Sequence, residues 1–306
     1  MLLYSIYKSS GEGTIEIKNS FGDNSWINIS SPSKEELEHI SKQCNTPIEF
    51  LESPLDLEES ARIEYDVDTK CTLIINDFPI TDKNNASFIT IPIGIILGTD
   101  YIITICSQPC FFLEDLIENN FNTNMRSQLA LKVLLIISTL YNNNLKKLNK
   151  ERIKIERNLR ISVTKTQLYK LMEIEKSLVY FLTSLTANGD VIEKLLRTTS
   201  IKLYEDDKDL LEELIIENTQ GIKTSELYTR ILDSITDSYS SVISNEMNNI
   251  MKTLTLFTVF LTVPTLVFSF FGMNVSIPQT SWGETIVLSI IFIIWIALAL
   301  WRRKIF

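Results

Sequence analysis

Histidine occurs once in this sequence and cysteine four times, too few for a dedicated zinc site or a disulfide scaffold. Glycine (9) and proline (8) are scarce for 306 residues, which excludes a collagenous or linker-like chain. Positive charge is outnumbered: 29 Lys and Arg face 38 Asp and Glu, for a net charge of −9. A nucleic-acid binder needs a basic face to displace counterions, so no nucleic-acid partner is expected. No Gly-x-x-x-x-Gly-Lys-Ser/Thr loop occurs, which disfavours an ATP-driven pump. No Ser–His–Asp or Cys–His arrangement is legible either, and the chain reads as a non-enzyme without an organic cofactor. Residues 1–8 are too short an apolar run for a secretory signal.

What is abundant is apolar sequence, unevenly placed. Residues 253–271 read TLTLFTVFLTVPTLVFSFF and residues 285–301 read TIVLSIIFIIWIALALW, both uncharged. Each is close to the ~20 residues a helix needs to cross a bilayer. Trp282 and Trp301 bracket the second run about 28 Å apart, a spacing that suits interfacial anchors. The alternative is two buried helices of a soluble core, but such helices carry polar faces and the second run shows none. Lys252 precedes the first run and Arg302, Arg303 and Lys304 follow the second, while residues 272–284 contain no Lys or Arg. The positive-inside rule then predicts a multi-pass protein of the cell membrane with both termini cytoplasmic. The four thiols stay reduced in that compartment. Cys106 and Cys110 are spaced either as a strand-end coincidence or as a metal pair.

The fold class expected is an α+β membrane protein with an N-terminal cytosolic α/β domain, a long stalk helix and two C-terminal transmembrane helices. Residues 1–110 form the α/β domain, with strands predicted at 15–17, 63–67, 72–75, 88–97 and 101–106. Ser33 with Glu36 is a capping box that opens a helix through about residue 43, carrying His39 on its surface. The acidic residues 51–59 read as a solvated helix start or as a cation surface. Residues 111–252 form a helical domain whose stalk begins near 205. Asn188-Gly189-Asp190 reads as a helix stop and restart, and Gly221 is the one soft point of the stalk. If helical through residue 271, that last element is about 100 Å long and needs lateral partners. Residues 253–271 and 285–301 are the two spans, 272–284 the outer loop, and 302–306 a basic cytosolic tail.

One stripe of the long helix is polar. Met251, Thr255, Thr258, Thr262, Thr265 and Ser269 follow at steps of 4, 3, 4, 3 and 4, and the same rhythm backwards takes in Asn248, Ser244, Ser241 and Asp237. Five hydroxyls on one line of a span form a seam that faces helices or water rather than lipid. Back-bonding to the same helix accounts for two or three of them without any water. Two spans cannot enclose a pore, so a wet seam requires several copies around an axis. Met251 then forms an apolar ring at the cytosolic mouth, able to gate by dewetting.

After the first span comes Phe271-Gly272-Met273-Asn274. With Asn248-x-x-Met251-Lys252-x-Leu254-Thr255 before it, and Pro278, a second span and a basic tail behind it, the sequence resembles the CorA family of divalent-cation transport proteins, whose signature is Gly-Met-Asn between two C-terminal spans. The resemblance covers the whole chain and is motif-specific over about the last seventy residues. It implies a homopentamer in membrane lipid, with the stalk running into the pore-lining span and the second span outside it. Gly272, Met273 and Asn274 would be the ion selectivity filter, with Asn274 ringing the outer mouth. Mg²⁺ would be both cargo and cytosolic regulator, driven inward by membrane potential. Glu213, beside Glu212, is a candidate regulatory ligand or a solvated charge pair. Phe271 stands where the family commonly has Tyr, and Glu284 is the only charge in the outer loop. A Zn²⁺, Co²⁺ or Ni²⁺ transporter of the same architecture and a membrane-anchored scaffold are the competing readings.

Overall fold

The computed structural model describes residues 4–9, 15–18, 24–82, 87–114, 116, 122–159, 164–197, 201, 204–273 and 281–302. They divide into two compact units, Met1–Asp233 and Ser234–Phe306.

The first unit is built on a seven-stranded sheet. Its strands are β1 (Tyr4–Ser9), β2 (Ile15–Lys18), β3 (Ser25–Ser30), β4 (Arg62–Asp66), β5 (Cys71–Thr81), β6 (Phe88–Leu97) and β7 (Tyr101–Cys106), in the order β2-β1-β3-β7-β6-β5-β4. Every pairing is antiparallel except β3 with β7. β7 is central and buried along its length, which is why it reads as an unbroken β-branched run. β1 and β3 escaped the sequence reading. They alternate apolar residues with Ser, Lys and Asn, and only pairing reveals that Trp26, Ile27 and Ile29 are core.

One sheet face is covered by α1 (Lys34–Cys44) and α2 (Ile48–Glu52). Ser33 caps α1 as expected: its hydroxyl accepts from Glu36 N (3.3 Å), and the Glu36 carboxylate accepts from Ser33 N (2.9 Å). Leu37, Ile40, Phe50 and Leu51 meet Ile27, Ile29, Leu73, Ile75, Ile103 and Ile105 there. The acidic segment at 51–59 closes a helix rather than opening one. α2 stops at Glu52, and Pro54 sits in a 3₁₀ turn, Ser53–Leu55.

The other face carries α3 (Arg126–Leu159) and α4 (Lys165–Arg197). Tyr141 packs edge-on against Phe181, centroids 5.1 Å apart, and its hydroxyl donates to Asp77 O (3.2 Å). The expected stop at Asn188-Gly189-Asp190 does not occur, because α4 runs straight through it. The Asn188 side chain instead accepts from Asp77 N and donates to Asp77 O, both at 2.9 Å, so a residue that reads as a local breaker serves a tertiary bond. Burial raises the Asp77 carboxyl above the usual carboxylate range, partly opposed by a bond to Ser184.

The 67-residue α5 (Glu205–Phe271) begins in this unit. Asp207 accepts from Ser127 Oγ (2.8 Å) and from Tyr204 N (2.9 Å), which anchors and caps the helix start. Asn142 donates to Glu217 O (3.0 Å), and Asn218 donates to Leu185 O (3.0 Å). Gly221 is a packing point and not a soft one: a Cβ there would lie 3.0 Å from Leu185 Cδ1.

The second unit contains α5 from Ser234 and α6 (Trp282–Arg302). Among the described residues one helix, α5, is long and apolar enough to cross a membrane, and the apolar stretch Trp282–Leu298 of α6 is shorter.

Candidate functional site

The polar stripe of α5 is uncovered along its length. Asp237, Ser241, Ser244, Asn248, Met251, Thr255, Thr258, Thr262, Thr265 and Ser269 are all exposed. On the apolar segment, Leu256, Val259, Phe260, Val263, Pro264, Val267 and Phe271 are the half-buried positions. At 100° per residue the two sets are centred roughly 150° apart. The seam therefore points away from the side of α5 that its own unit covers.

Each seam threonine back-bonds. Thr255 Oγ1 donates to Met251 O (2.7 Å), Thr258 to Leu254 O (2.9 Å), Thr262 to Thr258 O (2.7 Å) and Thr265 to Leu261 O (2.8 Å). Lower down, Ser241 donates to Asp237 O (3.0 Å). Back-bonding thus accounts for four of the five span hydroxyls, more than the two or three expected. It also fixes their chemistry. A hydroxyl has one proton and two lone pairs, so a hydroxyl whose proton is committed to the helix presents only an acceptor outward. From Thr255 to Thr265 the seam is a line of neutral oxygen acceptors, and on the opposite, half-buried side Pro264 withholds an amide from the Phe260 carbonyl.

At the top, α5 ends at Phe271 and Gly272 N donates to Phe268 O (2.9 Å). A Cβ on Gly272 would come within 3.2 Å of that carbonyl oxygen, so glycine suits this tight exit. Met273 is exposed. Asn274 lies outside the described residues, as do Arg303 and Lys304. α6 begins at Trp282, earlier than the predicted 285, because Ser281 and Glu284 form a capping box: Ser281 N donates to Glu284 Oε2 (2.9 Å), and Glu284 N to Ser281 Oγ (3.4 Å). The one charge expected in the outer loop is thus held in a helical turn.

α6 also has a polar strip that the sequence reading denied it. Thr285 and Ser289 are buried and back-bond to Ser281 O (3.3 Å) and Thr285 O (3.0 Å). Their spacing of four was the available signal, hidden by the hydropathy of the residues around them. Glu213 is exposed on α5 in the first unit, next to exposed Glu212. Among the described residues no three His, Cys, Asp or Glu side chains are grouped to hold a metal. Cys106 and Cys110 are buried at the end of β7, where their mutual hydrogen bond and burial push the Cys110 thiol upward and keep it protonated.

This order of parts, sheet, helical layer, long helix and apolar pair, has counterparts. Residues 21–304 match the family model of CorA-like Mg²⁺ transporter proteins. The chain belongs to the CorA family. It is 29% identical over 284 residues to the cobalt/magnesium transport protein CorA of Methanocaldococcus jannaschii, covering 89% of this chain and 88% of that one. The complete structure of the CorA magnesium transporter from that organism superposes with a TM-score of 0.84 at 26% identity, over 99% of this chain and 98% of the other. The ZntB cytoplasmic domain from Vibrio parahaemolyticus shares the fold, with a TM-score of 0.65 at 12% identity over 80% of this chain and all of that domain. CorA family members are transport proteins, not enzymes.

Proposed function

We propose that this chain forms a homopentameric channel of the cell membrane that conducts Mg²⁺ passively into the cytoplasm. α5 and α6 are its two spans, with both termini cytoplasmic, α5 lining the pore and α6 lying outside it. The reading is carried by one observation: the hydroxyl seam sits on the side of α5 that its own unit leaves uncovered. Sequence likeness to a cobalt/magnesium transport protein supports the choice of cargo.

The chemistry suits a hydrated ion. Mg²⁺ gives up its waters reluctantly, and those waters point their hydrogens outward. Oxygens that only accept, such as those of the back-bonded threonines, receive these hydrogens without competing for the metal. Asn274 rings the outer mouth with neutral amides, close to the tight exit at Gly272 and Met273. Neutral groups hold the ion loosely enough to release it, where a carboxylate ring would retain it. Met251 supplies an apolar ring that closes by dewetting. Cytosolic Mg²⁺ bound between subunits, with Glu213 as one ligand, favours the closed state. A divalent ion gains about 4.6 kcal/mol per 100 mV on entering a negative cell, so no nucleotide is needed.

Mg²⁺ uptake by proteoliposomes tests this. Wild-type uptake that rises with inside-negative potential, and falls sharply in Asn274→Ala, is the expected result. Equal uptake in both proteins removes the filter assignment. Co²⁺ or Zn²⁺ uptake without Mg²⁺ uptake moves the cargo to the alternative, and no divalent uptake leaves a membrane-anchored scaffold. Cysteines placed at Thr258, Thr262 and Thr265 should react with a water-soluble thiol reagent.

A further inference from the structure

A cavity of 370 Å³ lies at one end of the sheet, wholly within the first unit. Its wall includes Tyr65 of β4, Lys70 in the β4–β5 turn, Thr99 in the β6–β7 turn, Arg126 at the start of α3 and Tyr204 just before α5. Two cations line it, and among the described residues no Asp or Glu does, in a chain whose net charge is −9. Its volume falls in the range of small-molecule sites, roughly 300–1,000 Å³.

Arg126 is short of acceptors. Its Nη1 is buried and, among the described residues, has no hydrogen-bond partner. The exposed Asp100 carboxylate stays 3.8 Å away, beyond hydrogen-bond reach. A buried guanidinium nitrogen without an acceptor is costly, and an acidic ligand would satisfy it. The backbone of the same turn is in a similar state. Leu129 N to Met125 O (3.0 Å) is the first helical bond of α3, so the cap is Met125, which has no side-chain oxygen for the amides of Arg126 and Ser127. No acid stands in that first turn. The Asp207 carboxylate, which reaches it, is engaged by Ser127 Oγ (2.8 Å) and Tyr204 N (2.9 Å). An arginine at the positive pole of a helix is unfavourable alone and favourable with an anion beside it.

We propose that this cavity binds a nucleoside monophosphate, its phosphate on Arg126 and Lys70 and its base against Tyr65 and Tyr204. A phosphate monoester brings nearly two negative charges at neutral pH and three acceptor oxygens. It therefore suits two cations and orphan amides better than a carboxylate does. Tyr65 and Tyr204 are 44% and 53% exposed, so their rings are available to a planar base. Binding is a property of the first unit and holds whether or not the chain conducts Mg²⁺.

The test is equilibrium dialysis of AMP and CMP against the full chain in detergent, without added divalent ions. At least one nucleotide should bind saturably, and its free nucleoside and inorganic phosphate should each bind about tenfold or more weakly. Lys70→Gln and Arg126→Gln should each weaken nucleotide binding about tenfold, whereas Lys34→Gln on α1 should leave it unchanged. Lys70 is exposed in a turn, so Lys70→Gln removes no packing and keeps the test decisive where Arg126→Gln fails to fold. No saturable binding of either nucleotide overturns the proposal. So does binding that survives both substitutions, or that the free nucleoside matches. Phosphate alone matching the nucleotide takes the base out of the site and overturns it as well.

Discussion

The two units use the same residue types against different surroundings. In the first, Ile74, Ile93 and Phe181 are fully buried, whereas in the second Leu261 is 71% exposed and Trp295 67%. Polar side chains differ in the same way. Asn188 reaches across 111 positions to the backbone of Asp77, while the seam threonines bond only to carbonyls four residues back on their own helix. The first unit buries a core of its own between its sheet and its helices. The second leaves its apolar surface to be covered by something else, as a segment destined for hydrocarbon does.

Phe181→Ala should break the comparison hardest, costing about 3–5 kcal/mol through a cavity beneath Tyr141. Phe257→Ala, at an exposed site, should leave the thermal midpoint in detergent unchanged. If both lower it equally, the two units are not separate environments. Gly221→Val should cost about 1–3 kcal/mol, since its branches enter the space of Leu185. Asn188→Ala orphans the Asp77 amide and should cost about 1–3 kcal/mol, read by denaturant titration of the full chain.

A smaller effect belongs to Asp77→Asn. The folded-state pKa of Asp77 is raised, so the native state binds more protons between the ordinary carboxylate value and the raised one. Stability from this group is present at low pH and is lost as pH rises through that window. The variant should be more stable than wild type at neutral pH and show a flatter dependence of stability on pH. The smallest stability effect should be that of Thr262→Val, within about 0.5 kcal/mol, because only a local bond is lost. Its Mg²⁺ uptake should nevertheless fall, and unchanged uptake would detach the seam from conduction.

These contrasts also explain what was readable from residues alone. Local signals carried through: the Ser33–Glu36 box opened α1, and the β-branched runs at 88–97 and 101–106 became β6 and β7. The parallel pairing of β3 with β7 joins residues 76 apart, such as Trp26 with Ile102, and leaves no local mark. Asn188-Gly189 misled because a turn-forming pair and a helix-to-strand hydrogen bond use the same amide. At the site, the rhythm of 3 and 4 placed every seam residue on one side. The direction of each hydroxyl proton was not legible, since it depends on a rotamer and on the absence of any other acceptor. Thr285 and Ser289 were missed because two hydroxyls barely lower the hydropathy of α6.

The unbroken run of α5 fixes a phase. Asp237 and Ser244, below the apolar segment, and Thr258, within it, sit on one helical screw. Inserting a single residue between 244 and 248 would turn everything beyond it by about 100°, swinging the threonines out of line with Asp237, Ser241 and Ser244. Inserting seven would misalign it by only about 20°. Length changes in this stretch should therefore be tolerated in whole heptads and rejected one at a time, a rule that engineered insertions can read directly.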